Sequence, residues 1–266
     1  MKINYFCVDL QIYMKSIVAY YKDRLGIDLE NLNHPLSAKI HSAFSKSGLD
    51  KKVNEFHLKH LGLSLFDILD FDKSIYNFYI KKIVNNAQIG VLGYIFEIIQ
   101  CAHLINTSKK ENLTFIFGDH NKKEADFIIN GCGFEITSCI FSDESDKTKP
   151  GKKLLEAFRK KNNKGYANND CVLIIEMSQI TYHALANPKI DMSFNEVMEI
   201  IEKDSKFGLV ICIVEWVDNA GDNIQVTAYQ IYSEKCSSTL KELIENKFIK
   251  GQKNEFTSKP FIIPFT

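Results

Sequence analysis

KEADFIINGCGFEITSCI, residues 123 to 140, reads as two short strands around a tight turn. Ala125, Phe127 and Ile129 alternate with Asp126 and Ile128 up to Asn130-Gly131, and Phe134, Ile136 and Ser138 then alternate with Glu135, Thr137 and Cys139. A period of two on either side of a glycine-containing dipeptide is the pattern of a hairpin. Glu135 and Thr137 then share one face of the second strand. Asp126 can stand opposite them, where Cβ atoms across a strand pair sit roughly 4.5 to 5.5 Å apart. Carboxylates that close repel, and a divalent cation is the usual partner for such hard oxygen ligands. The alternative is two ordinary acids on the solvent face of a half-buried hairpin.

The rest of the chain bears on that choice. Its 266 residues can bury one large core with additions, or two small ones. A hydrophobic share of 45% with 25% charged residues is that of a globular protein and excludes disorder. Lys and Arg total 33, as do Asp and Glu, so any attraction to a polyanion must come from a local patch. Asp9 interrupts the apolar part of the N-terminal segment, which argues against a signal peptide. The most apolar window, Ile89 to Ile105, is short for a membrane span and contains Glu97, Gln100 and His103, so no membrane association is expected. Seven cysteines without a CxxC pair, several of them inside apolar runs, point to free thiols in a reducing cytoplasm.

Upstream of the hairpin, residues 1 to 85 read as a helical region, with Tyr13 to Leu25, Leu36 to Phe44 and Ser74 to Val84 as helices, punctuated by Asn33, Pro35, Gly48 and Gly62. His34, His41, His57 and His60 lack a matching Cys or acid pattern and read as helix histidines. Residues 88 to 105 form a helix apolar on most of its circumference, with Glu97 at its middle. Either Glu97 reaches water along a strip with Gln100 and His103, or it has a partner or an ion, because an unpaired buried carboxylate is costly.

Downstream, Leu113 to Phe117 precedes the hairpin as a short strand, and the polar loop Ser142 to Gly151 follows it. A helix runs from Lys152 to about Lys164, and Cys171 to Met177 is an apolar run of the kind covered on both faces. A crossover helix between two strands implies that they pair in parallel. Ser193 to Glu196 is a capping box opening a helix to Lys203. Strands at Leu209 to Val217 and Ile224 to Ser233, a helix from Thr239 to Lys247 and an extended tail complete the chain. Glu176 and Glu215, each interrupting an apolar run, read as edge or solvent residues.

This order of elements, with Glu97 on the first helix, Asp126 on the second strand, Glu135-Ile136-Thr137 on the third and a basic helix next, resembles the core of the PD-(D/E)XK nucleases, the restriction-endonuclease-like fold. The resemblance covers residues 88 to 178. It implies an α/β fold with an α-β-β-β-α-β core, residues 86–266 forming the nuclease-like domain with its C-terminal extension and residues 1–85 a helical addition. It implies a Mg²⁺-dependent endonuclease, Mn²⁺ substituting, that cleaves phosphodiester bonds in DNA more readily than RNA, with a homodimer compatible. Asp126, Glu135 and the Ile136 carbonyl would hold the metal, and Glu97 would join them or orient a water. An inactive nuclease-like scaffold that binds nucleic acid or protein is the alternative.

The chain departs from the family at two points. Asp126 is not preceded by proline, and Thr137 stands where the family has its lysine. Thr137 can hydrogen-bond a water or a phosphate oxygen but carries no charge. The family tolerates a lysine relocated to the following helix. There Leu154, Leu155 and Phe158 define the face packed on the sheet, and at about 100° per residue Lys161 falls about 60° from Phe158, while Lys160 points nearly the opposite way. Lys161 is the best-placed substitute, or else a lysine snorkelling at the helix edge. Eight basic residues lie between Lys147 and Lys164 against one acid, Glu156. Lys152, Lys153, Lys160 and Lys164 are candidate phosphate contacts from this run, which otherwise reads as a solvated helix face. Tyr166 packs on a base or caps the helix against the sheet, the second being preferred.

Overall fold

The computed structural model describes residues 10–28, 36, 49–85, 88–119, 122–142, 145–187, 191–217 and 224–248. The N-terminal segment, His34, His41, the expected helix to Phe44 beyond Leu36, the turn at 218–223 and the C-terminal tail lie outside the described residues. The chain divides into two compact units. The first comprises Met1–Asn106 with Val214–Thr227, and the second Thr107–Ile213 with Ala228–Thr266.

The first unit is helical: α1 (Leu10–Leu25), α2 (Leu49–Phe71), α3 (Lys73–Asn85) and most of α4 (Gln88–Glu111). Gly62, expected to punctuate the chain, instead lies inside α2. A Cβ there would meet the Tyr20 and Tyr21 rings at 3.1 and 3.3 Å, so glycine lets α1 approach closely. The Tyr20 hydroxyl donates to the Gly62 carbonyl at 3.2 Å, and that of Tyr21 to the Leu58 carbonyl at 2.5 Å. Asp72 separates α2 from α3 and accepts from the Ser74 and Ile75 backbone N–H groups, which caps α3. Val91, Ile95, Ile98, Cys101 and Ile105 of α4 are buried, in keeping with its apolar circumference. Among the described residues no helix is long and apolar enough to cross a membrane.

A six-stranded sheet, belonging to the second unit except for Val214–Val217 and Ile224–Thr227, runs in sequence order: β1 (Phe115–Phe117), β2 (Phe127–Ile129), β3 (Cys132–Ser138), β4 (Cys171–Glu176), β5 (Leu209–Val217) and β6 (Ile224–Tyr232). β1–β2 and β2–β3 pair antiparallel, whereas β3–β4 and β4–β5 are parallel. The sheet is therefore mixed, and helices flank it. α5 (Pro150–Asn162) joins β3 to β4, and α6 (Ser178–Ala186) and α7 (Phe194–Asp204) join β4 to β5. Right-handed crossovers that advance in one direction across a sheet put their helices on one face. In agreement, the Asn162 side-chain amide at the end of α5 donates to the Asp204 carbonyl at the end of α7. The C-terminal α8 (Ser238–Leu243) continues into a π turn ending at Phe248, whose ring lies tilted at 5.5 Å from that of Phe134.

Besides α2, which runs through Gly62, two elements differ from expectation. α6 has no counterpart in the sequence reading; its mixed residues SQITYHALA show no clean stripe of period 3.6. Lys164 lies beyond α5, which stops at Asn162. The capping box at Ser193 and Glu196 forms as read, with both reciprocal bonds present.

Candidate functional site

The Asn130-Gly131 turn fixes the register of the hairpin. Both residues have positive φ, 48° and 82°, which two-residue hairpin turns of the I′ kind require and which glycine adopts without strain. Ile129 then pairs with Cys132, and Phe127 with Phe134. One step further along the same register, Asp126 faces Glu135. Alternation sends Phe127, Ile129, Phe134 and Ile136 into one buried face and places Asp126, Ile128, Glu135 and Thr137 on the other. That second face carries α5. It is open toward β1, where Ile116, paired with Ile128, is 56% exposed.

Hydrogen bonds lock the two acids together. The Ile136 N–H donates to Asp126 Oδ2 at 2.8 Å, and the Asp126 N–H reaches Glu135 Oε2 at 3.3 Å. Each carboxylate thus closes the ladder beyond the last regular pair, satisfying a backbone group that the end of β2 leaves over. Gly133 and Cys139 use their N–H groups toward β4. By alternation Ile136 turns its N–H and its carbonyl toward Asp126.

Lys161 supplies the positive charge. Its ammonium pairs directly with Glu135 Oε1. The Glu135 side chain is only 3% exposed and that of Lys161 20%. The helical arithmetic is met: Leu154, Leu155 and Phe158 are buried, Lys161 is at the border and Lys160 is exposed. α5 is set from a distance, because Asp191 accepts from the Gly151 and Lys152 N–H groups at its first turn, beside Pro150.

Sequence reasoning missed the part played by Tyr166. From the loop after α5 its hydroxyl hydrogen-bonds the Glu135 side chain. Burial, that bond and the charges of Glu135 and Asp126 together hold its ionisation far above the ordinary tyrosine range. No pattern in the sequence marks it, since the contact depends on where the loop returns to the sheet.

The other candidates take the following places. Thr137 is half-buried on the Glu135 face. Lys152, Lys160 and Lys164 are exposed and Lys153 is half-buried. Lys152 lies 3.9 Å from Glu156, one turn along α5, a contact of little energetic weight at the surface. Glu97 belongs to the first unit, where it is half-buried and accepts a 3.0 Å hydrogen bond from the Tyr79 hydroxyl. Glu215, read as an edge or solvent residue, lies 3.0 Å from His57 Nε2. Glu176 accepts from the Ser178 N–H at the start of α6. Six free cysteines are present among the described residues, and burial pushes the Cys139 and Cys212 thiols up to about 12, so they behave as small apolar groups.

Two carboxylates held side by side with a strand carbonyl turned toward them form a donor set of hard oxygens that suits Mg²⁺ or Mn²⁺. No group of three or more His, Cys, Asp and Glu suited to a metal occurs among the described residues, so such an ion would depend on these two acids with backbone and solvent oxygens. Comparison with protein families, curated proteins and solved structures found no match to the chain. The arrangement of Asp126, Glu135 and Lys161 therefore carries the functional reading by itself.

Proposed function

We propose that the second unit is a restriction-endonuclease-like domain that hydrolyses phosphodiester bonds with a divalent metal ion, on DNA in preference to RNA. The observation that carries this reading is the meeting of three residues from separate elements: Asp126 before β2, Glu135 inside β3 and Lys161 on α5. A buried carboxylate with a lysine on it, beside a second carboxylate and an open sheet face, is an expensive arrangement for stability alone.

In this reading Asp126 and Glu135 hold Mg²⁺, and the Ile136 carbonyl completes the protein's share of the ligands. The ion would supply positive charge at the scissile phosphate and a more acidic water. Asp126 and Glu135 fix its place through the backbone bonds that immobilise them. Lys161 stabilises the negative charge that develops on the phosphate oxygens, the part played elsewhere in the family by the lysine that Thr137 replaces. Thr137, two residues from Glu135 on the same face, is placed to orient a water or a phosphate oxygen. Lys152, Lys153, Lys160 and Lys164 contact the flanking phosphates of the polymer.

Thr137 also favours a second reading, a scaffold of this fold that binds nucleic acid or protein without cleaving it. A panel of labelled single- and double-stranded DNA and RNA with Mg²⁺ or Mn²⁺ separates the two. Metal-dependent cleavage, lost in Asp126→Ala and Glu135→Ala, carries the nuclease reading and names the polymer. Binding by a folded chain that cleaves nothing in the panel carries the scaffold.

A further inference from the structure

We propose that Lys161 is the resident counter-ion of Glu135 and that a divalent cation takes its place, releasing the ammonium toward the substrate. The inference rests on the metal-binding reading of Asp126 and Glu135. Glu135 is the more deeply buried partner, and its carboxylate already has three polar neighbours: the Lys161 ammonium on Oε1, the Asp126 N–H near Oε2 and the Tyr166 hydroxyl. An ionised carboxylate at that depth needs a cation. Lys161 provides one without any bound ion, which lets the unit fold around its own acid pair.

The same contact obstructs a metal. A doubly charged ion and an ammonium on one carboxylate repel strongly where water is scarce, and a bound ion needs the Glu135 oxygen that Lys161 covers. The lysine has a way out. Its side chain keeps a fifth of its surface in water, its four-carbon stem is flexible, and it sits in the last turn of α5, next to exposed Lys160. The negative end of the helix macrodipole favours a cation there even when Glu135 is taken by another. Lys161 thus has two posts a short swing apart, on Glu135 before the ion binds and over the phosphate afterwards.

The test is Mn²⁺ binding to the full chain, measured by calorimetry for wild type, Lys161→Met and Lys161→Gln. Removing the competing charge should tighten Mn²⁺ binding about tenfold or more. Affinity that is unchanged or weaker in folded variants overturns the proposal. Absence of Mn²⁺ binding to wild type and variants alike would overturn the metal reading beneath it, a different failure. Should the variants not fold, amine-reactive labelling of wild type with mass spectrometry reads the same event. Lys161 should label several-fold faster with Mn²⁺ present while exposed Lys160 keeps its rate, and an unchanged Lys161 rate contradicts displacement.

Discussion

Lys161, in the last turn of α5, reaches Glu135 in the middle of β3, 26 residues earlier in the chain. The pair ties the crossover helix to the strand that bears the candidate catalytic acid, so its energetics and its chemistry are linked. Lys161→Ala leaves a buried carboxylate without its cation and should destabilise the chain by about 3 kcal/mol, the low end for breaking a buried pair because Lys161 is partly hydrated. Urea denaturation measures it. Glu135→Gln in the same background should recover part of the loss, since the surviving partner then carries no charge, and a double-mutant cycle on the two positions would give their coupling.

Tyr166→Phe should change the alkaline limb of the stability curve. In the folded chain Tyr166 ionises well above its ordinary value of 10.0, chiefly through burial and then through its bond to Glu135. As pH rises past 10 the unfolded chain loses this proton first. The contribution is therefore complete below that pH and diminishes as pH climbs above it. The variant should be less stable than wild type at neutral pH by about 1 kcal/mol, the net worth of a hydrogen bond to a charged group being of that order or somewhat more. The gap should narrow above pH 10. Denaturation at several pH values checks both signs.

The exposed lysines should act on binding alone. Lys160→Ala with Lys164→Ala should weaken nucleic-acid affinity evenly across sequences and lower the salt dependence on duplex DNA by about 0.9 for each phosphate no longer neutralised. Chain stability should shift by no more than about 0.5 kcal/mol, as for other exposed substitutions. Fluorescence anisotropy against salt concentration reads the first effect and thermal melting the second.

Gly131→Ala tests the turn. Alanine at φ 82° carries a cost of about 1 kcal/mol in the left-handed region. The register of Asp126 against Glu135 depends on this turn, so cleavage should fall no further than the fraction unfolded requires if the hairpin keeps its pairing. A much larger loss would mean that the register had slipped.

The hairpin was legible because its information is local. Period-two alternation and Asn130-Gly131 specify the pairing of Phe127 with Phe134, and Asp126 and Glu135 follow. Lys161 was legible because a helix has a fixed angle per residue and Phe158 marks the packed face. The parallel pairing of β3 with β4 follows from the crossover between them. What the sequence concealed is held by distant partners. Tyr166 reaches Glu135, Asp191 caps α5 across 40 positions, and His57 meets Glu215 across 158, none with a periodic signature. Gly62 misled for a related reason, since a glycine that permits close helix packing has the same symbol as one that ends a helix.

Whether Asp126 and Glu135 form a catalytic metal site is decided by the rate of phosphodiester cleavage with Mg²⁺ on the best polymer of the panel, for wild type and Asp126→Asn purified in parallel. Cleavage by wild type should vanish when the metal is chelated and fall at least about a hundredfold in the variant, whose fold is preserved. Equal rates in the two preparations, or no cleavage by folded wild type on any polymer, would contradict that role.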